Sequence, residues 1–195
     1  MKLTNNKVLV VFCHPSKKSL NYYILQQVLN LLNQKKIDAV VRDLYEIGFN
    51  PVLRFDQQLN TQQDVLQEQE YVKQSDLMIF IFPTWWGHMP AVLKGYIDRV
   101  FSFNFAYTVD QNNQSVPLLS DKKAIIITTL GGDENTYKQY LLEQSMKRIY
   151  KHIIFEFCGI ELLEQIFIYS AQKSNEIAQK VQQAIQTLEK LLSTD

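Results

Sequence analysis

Residues 77–103, LMIFIFPTWWGHMPAVLKGYIDRVFSF, constrain the fold of this chain more than any other stretch. Residues 77–82 are an unbroken apolar run. A strand without a polar face needs cover on both sides, as in the middle of a parallel sheet. Pro83-Thr84-Trp85-Trp86-Gly87 ends the run and sets two indoles just past the C-terminal end of the strand. Pro90 suits the first turn of a helix, where its missing N–H costs nothing. Beyond it, Leu93, Tyr96, Ile97, Val100 and Phe101 recur at helical spacing and form an apolar stripe that must pack against something. The stretch reads as a buried strand, an aromatic elbow and an amphipathic helix.

The 195 residues read as a single domain, 1–195, large enough to bury a core without staples. Its 20 Lys and Arg balance 20 Asp and Glu, so there is no charge signature for nucleic acid or an anionic membrane. The apolar run at 8–12 is too short for a signal-peptide core, and no cleavage-like site follows it. No stretch approaches the roughly 18 apolar residues of a membrane span. Cys13 and Cys158 are too far apart for a C-x-x-C or zinc pattern, and His14, His88 and His152 lack metal-ligand spacing. A disulfide is open to the two cysteines, but a chain without a signal is expected to be cytoplasmic with free thiols.

Taken in order, residues 8–12 lead into Cys13-His14-Pro15-Ser16-Lys17-Lys18-Ser19-Leu20-Asn21, a loop with turn chemistry and a helix cap at Ser19 or Asn21. Leu25, Val28, Leu29 and Leu32 continue that helix to about Gln34. Residues 39–44 read as a more polar strand for a sheet edge, and 45–61 as irregular around Pro51. Val65, Leu66, Gln69 and Val72 mark a weakly patterned helix. Residues 104–122 read as one long loop, of a length that is usually functional or mobile. After a third buried strand at 124–128, one long helix is expected from about Tyr137 through Phe157, closed by Gly159. A last strand over 165–170 and a terminal helix from Ile177 to Leu191 complete the chain.

Strands starting near 8, 39, 77, 124 and 165, alternating with helices, argue for an α/β protein with a five-stranded parallel sheet between helical layers. Right-handed crossovers leave order 2-1-3-4-5 as the common solution. In that order the first, third and fourth strands lie side by side. Their C-terminal ends carry the loops at 14–21, 83–87 and 129–133, the three oddest in the sequence. The topology thus gathers them at the crevice where such sheets bind ligands.

Each loop has a chemical reading and a plain one. The first opens a helix, whose free N–H groups favour an anion; Ser16, Ser19 and Asn21 add donors, and His14, Lys17 and Lys18 can add positive charge. A phosphate monoester suits it better than a pyrophosphate, since G-x-G-x-x-G and P-loop sequences are missing. The plain reading is a helix cap beside solvated lysines. Trp85 and Trp86 beside Gly87 offer a shelf for a flat ligand, or are ordinary core or interface residues. Thr129-Leu130-Gly131-Gly132 presents backbone amides to a polar ligand edge with Tyr137 nearby, or is a simple strand-to-helix turn. A phosphate cradle, an aromatic shelf and a glycine loop together describe a site for flavin mononucleotide-like ligands. No G-x-S-x-G elbow supports a hydrolase, and no acidic cluster after the first strand supports a phospho-receiver domain.

These residues resemble the NAD(P)H:quinone oxidoreductases of DT-diaphorase type, and most closely their smaller bacterial members. The resemblance spans nearly the whole chain through HPSKKSLN (14–21), RDLYEIGFNPVL (42–53), FPTWWGHMPAVLKGYIDRVF (82–101), FAYT (105–108), TLGG (129–132) and FCGIELLE (157–164). It implies a flavodoxin-like, three-layer homodimer that binds FMN, or alternatively FAD. Hydride would pass from NAD(P)H to the flavin and then to a quinone, in a two-electron ping-pong cycle. By the same resemblance His14, Ser19, Leu20 and Asn21 would hold the ribityl phosphate. Pro83, Thr84, Trp85, Trp86 and Gly87 would line the isoalloxazine. Thr129, Leu130, Gly131 and Gly132 would meet its pyrimidine edge, with Tyr137 as the catalytic residue there. Ala106, Tyr107 and Thr108 would reach the substrate pocket from the partner subunit.

Departures from that pattern are specific. The larger animal enzymes follow the tyrosine with a histidine six residues on, where this chain has Glu143; Leu130 replaces a threonine and Val109 a pocket tyrosine. Charged residues that grip the adenylate half of FAD in those enzymes fall on Gln179 and Gln183 here, which favours FMN. Bacterial relatives also act as ancillary subunits of glutathione-gated potassium efflux systems, so docking on a membrane transporter is the alternative role. A flavodoxin-like electron carrier is disfavoured, because such carriers are typically acidic and this chain is neutral.

Overall fold

The computed structural model describes residues 6–54, 62–171 and 176–193. In chain order they form β1 (Lys7–Phe12), α1 (Leu20–Gln34), β2 (Asp38–Asp43), α2 (Gln63–Gln74), β3 (Leu77–Pro83), α3 (Ala91–Val100), the short strands β4 (Tyr107–Val109) and β5 (Ser115–Pro117), β6 (Lys123–Thr129), α4 (Glu134–Gln139), α5 (Leu142–Arg148), β7 (Glu161–Ile168) and α6 (Ile177–Ser193). Part of the segment expected to be irregular, 55–61, lies outside the described residues.

The main sheet is parallel in the order β2-β1-β3-β6-β7. This is the expected five-strand order once the small hairpin is set aside. All of β3 is buried, as an unbroken apolar run requires. Its side chains alternate between two cores. Met78, Phe80 and Phe82 face Leu93, Tyr96 and Val100 of α3 and the segment after α5, whereas Leu77, Ile79 and Ile81 face α1 and α6. Both cysteines are free and buried.

Three expectations need correction. The long loop contains an antiparallel hairpin, Tyr107–Val109 with Ser115–Pro117, too short and too exposed to carry an apolar pattern. The long helix is broken at Leu141, which takes a left-handed φ of +55° between α4 and α5. It then widens into a π-helical turn, Ile149–Phe155, that buries Tyr150, Ile154 and Phe155 at the i, i+4, i+5 spacing such a turn allows. Tyr150 and Phe155 thereby pack on Phe82 and Phe80, and Gly159 at φ +84° closes the segment. The last strand runs over Glu161–Ile168 rather than 165–170, because its exposed edge carries Glu161 and Glu164 and hides the pattern.

The weak pattern of α2 also has a physical cause. Its inner face includes Glu68, 2% exposed, which takes Arg42 Nη2 at 2.5 Å and the Tyr96 hydroxyl at 3.3 Å. Arg99 is likewise buried and donates to the Asn50 carbonyl and to Asp64, both at 2.7 Å, and to the Gln62 side chain. These bonds tie the segment after β2 onto α2 and α3.

Candidate functional site

The first loop leaves β1 through Cys13, whose N–H donates to the Ile81 carbonyl at 3.0 Å. Ser19 caps α1 by accepting the Tyr22 N–H at 3.1 Å. The N–H groups of Leu20 and Asn21, at the helix start, precede any intrahelical bond. His14 Nδ1 lies 3.0 Å from the Ser16 N–H and 3.2 Å from the Ser16 carbonyl, which holds the ring against its own loop. Lys17 pairs with Glu46 at 2.9 Å on the surface.

The second loop is a tight turn. Trp85 and His88 exchange backbone hydrogen bonds at 2.9 and 3.1 Å, while Trp86 and Gly87 sit at φ +52° and +76°, as in a type I′ turn. Trp86 is wholly exposed and Trp85 is 41% exposed, so neither indole is a core residue. The Trp85 ring lies 6.1 Å from that of His14. His88 packs edge-on against buried Tyr150 at 5.3 Å, and burial with the nearby Lys94 charge lowers its pKa.

A buried polar seam joins these loops to the third. Thr84 N–H donates to the Thr129 carbonyl at 2.8 Å, and its hydroxyl meets that of Thr128 at 2.8 Å. Asn21 Nδ2 donates to Thr129 Oγ1 at 2.9 Å, and Asn21 Oδ1, though buried, has no partner among the described residues. Leu130 turns its side chain fully into the core, and its N–H and carbonyl bond Ile168 and Ala171.

The result is a cleft of about 440 Å³ at the C-terminal edge of the sheet. His14, Ser19, Leu20 and Asn21 line it from the first loop, Pro83, Thr84, Trp85 and Trp86 from the second, and Thr129 and Gly131 from the third. Gly87, Leu130, Gly132 and Tyr137 are outside this lining. Tyr137 stands beside it, against Gly132, where an added Cβ would come within 2.8 Å of the tyrosine ring. Partial burial raises the Tyr137 phenol pKa. Ala106 is buried under the hairpin, and Tyr107 and Thr108 lie on β4, packed against Phe157 and bonded to Asn104. Within one chain they do not join the cleft lining.

Sequence reasoning missed Ala171, which lines the cleft, and Tyr169, whose ring meets Tyr137 edge-on at 5.6 Å. Both follow β7, the next strand of the parallel sheet. Extending the strand-end argument one strand outward would have found them.

Fold and cleft together define a flavodoxin-like α/β protein, and the chain matches the flavodoxin-like fold family over residues 6–192. It is 35% identical over 162 residues to an uncharacterized NAD(P)H oxidoreductase of Haemophilus influenzae, covering 80% of each chain. It is 30% identical over 188 residues to NAD(P)H dehydrogenase [quinone] 1 of Cavia porcellus, covering 84% of this chain and 68% of that protein. The crystal structure of Smu.1420 from Streptococcus mutans superposes with a TM-score of 0.79 at 32% identity, covering 95% of this chain and 97% of that one. The chain belongs to the flavodoxin-like family of NAD(P)H oxidoreductases that includes the quinone dehydrogenases, and is an enzyme. No described helix is long and apolar enough to cross a membrane.

Proposed function

We propose that the cleft binds FMN and that the protein passes reducing equivalents from NAD(P)H to a quinone-type acceptor. The observation that carries this reading is the convergence of the 14–21, 83–87 and 129–132 loops on one crevice, built largely from backbone and short polar side chains. The unpartnered buried Oδ1 of Asn21 suits a donor such as a ribityl hydroxyl. The helix start at Leu20 and Asn21, with Ser19 and His14 beside it, suits a terminal phosphate. Gly131 has open space where a side chain would stand, so backbone there can approach a flat ring.

FMN is favoured over FAD. The groove between α1 and α6, of about 430 Å³, has Tyr23, Gln27, Gln179 and Gln182 in its described lining and no charged side chain to grip an adenylate phosphate. Gln183 faces a different groove, beside β7.

When bound, FMN supplies the hydride chemistry, and the protein supplies position and electrostatics. The first loop would anchor the phosphate end and Trp85 would border the ring system. Tyr137 would hold its hydroxyl near the ring's polar edge. A second copy of the chain would complete the substrate side. Phe103, Val109, Leu118, Ile153 and Phe157 are exposed apolar side chains on and beside the hairpin, and Phe103 and Phe157 pack on Tyr107 at 5.8 and 4.9 Å. A dimer through this face would carry Ala106, Tyr107 and Thr108 toward the partner's cleft.

The test is purification, mass spectrometry of the released cofactor, and NADH or NADPH oxidation with menadione as acceptor. A yellow protein that releases FMN and reduces menadione is expected. A colourless protein that also fails to bind added FMN and FAD would overturn the reading.

A further inference from the structure

A connected row of side chains stands behind Tyr137. Tyr169 Oη donates to Glu143 Oε2 at 2.5 Å, and Glu143 Oε1 takes the Lys147 ammonium at 2.6 Å. The Tyr169 ring is fixed between two neighbours, Tyr137 edge-on at 5.6 Å and Phe167 stacked at 6.1 Å, and Lys147 lies 5.4 Å above the Phe167 ring. The row runs from α5, across the end of β7, to α4. It ends where Tyr137 packs on Gly132, one residue beyond the cleft-lining Gly131.

We propose that Lys147, Glu143 and Tyr169 form the charge-setting and positioning element of the site: Tyr169 holds Tyr137 against the glycine loop, and Lys147 cancels the carboxylate charge that Glu143 brings there. The proposal rests on the FMN reading for its first test. A ligand that gains negative charge on reduction is opposed by a lone carboxylate nearby, and an adjacent ammonium removes most of that opposition. The Glu143 side chain is 21% exposed, so solvent screens it only in part. Burial pushes its carboxyl up, but Lys147 and the Tyr169 hydroxyl together hold it below the usual range. Burial, and after it the same carboxylate, push the Tyr169 phenol up and keep it protonated. Other charges face the row. Lys138 of α4 also helps hold the Glu143 carboxyl down and Glu134 helps push the Tyr169 phenol up, though these two pair with each other at 2.6 Å, and Lys180 of α6 donates to the Tyr169 carbonyl at 3.2 Å.

The experiment is a charge cycle. The midpoint potential of bound FMN, which reports the ratio of affinities for its reduced and oxidised forms, is measured at low ionic strength for the wild type, Glu143→Gln, Lys147→Met and the double variant. Lys147→Met is expected to weaken reduced relative to oxidised FMN by roughly three- to tenfold, about 15–30 mV for a two-electron couple. Glu143→Gln should shift the ratio as far in the opposite direction, and the double variant should return near the wild type. Shifts of the same sign, or none, overturn the proposal. In flavin-free protein the Tyr137 phenol is titrated by 13C NMR of labelled tyrosine, assigned with Tyr137→Phe. Its pKa should rise in Lys147→Met and fall in Glu143→Gln, and an unchanged titration overturns the inference. If no flavin binds, the functional reading fails with the first arm, and the phenol titration alone decides this one.

Discussion

The buried amide of Asn21 donates to the Thr129 hydroxyl at 2.9 Å and so ties the start of α1 to the end of β6. The bond does two things at once. It satisfies Nδ2 inside the fold and leaves Oδ1 without a partner among the described residues. Thr129→Val keeps the shape and removes the acceptor, so a buried donor loses its partner. The expected cost is about 1–3 kcal/mol, read from urea unfolding of the flavin-free protein. Weaker FMN binding should accompany it, because the amide is then free to turn.

Trp86 holds a wholly exposed indole at φ +52° in a type I′ turn whose second central residue is Gly87. Asn-Gly is the favoured pair for that turn, and a left-handed conformation disfavours most L-residues by about 1 kcal/mol. The indole, being wholly exposed, gains no burial to offset that cost. Trp86→Asn is therefore expected to stabilise the flavin-free protein by about 0.5–1 kcal/mol and to lower NAD(P)H–menadione turnover. A stabilised variant with full turnover would remove the indole from the functional account.

The central strands were legible because they are buried on both faces: residues 8–12, 77–82 and 124–127 are unbroken apolar runs. Their order then followed from chain connectivity, and with it the meeting of the three loops. Elements with mixed surroundings were harder to read. At the sheet edge β7 carries Glu161 and Glu164, which delay its apparent start. On α2, Glu68 and Gln69 occupy buried positions, their polarity absorbed by Arg42 and by the Val100 carbonyl. The break at Leu141 has no glycine to announce it. Leu130 sits in a loop yet belongs to the core. Each miss is a place where tertiary contacts, rather than local sequence, decided the outcome.

Gly95 meets Pro51 so closely that an added Cβ would lie 2.2 Å from the proline carbonyl oxygen. The obstacle is backbone, so no side-chain rotation can relieve it. Gly95→Ala should force the segment after β2 away from α3 and cost about 1–3 kcal/mol or more. It would also strain the bond from Arg99 to the Asn50 carbonyl. Thermal unfolding against Gly87→Ala, which has open space but a positive φ, separates steric overlap from backbone strain.

Asp64 gives the fold a defined acid sensitivity. Burial pushes its carboxyl up, but the hydrogen bonds and charge of Arg99 outweigh this and hold it below the usual carboxylate range. The folded value therefore lies beneath the unfolded one, about 3.9. The stabilisation is fully present above the unfolded value and is lost as pH falls through the folded one. Asp64→Asn should be less stable than the wild type at pH 7, with the two converging as pH falls through the folded value. A difference independent of pH would assign the effect to packing instead.

The two thiols make the opposite prediction at alkaline pH. Burial pushes Cys13 up to about 12 and Cys158 up to about 11, against about 8.5 for a free cysteine. At pH 8 almost no thiolate forms in the folded state, so iodoacetamide should label native protein at least about a hundredfold more slowly than a free thiol. Unfolding should expose both. Because the folded values are raised, the linked stability is complete below about pH 8.5 and declines as pH rises toward the folded values. Mass spectrometry after timed labelling checks the first point, and urea midpoints between pH 7 and 10 check the second. Rapid labelling of Cys13 in folded protein would mean that the core it shares with Leu44, Met89 and Leu93 opens.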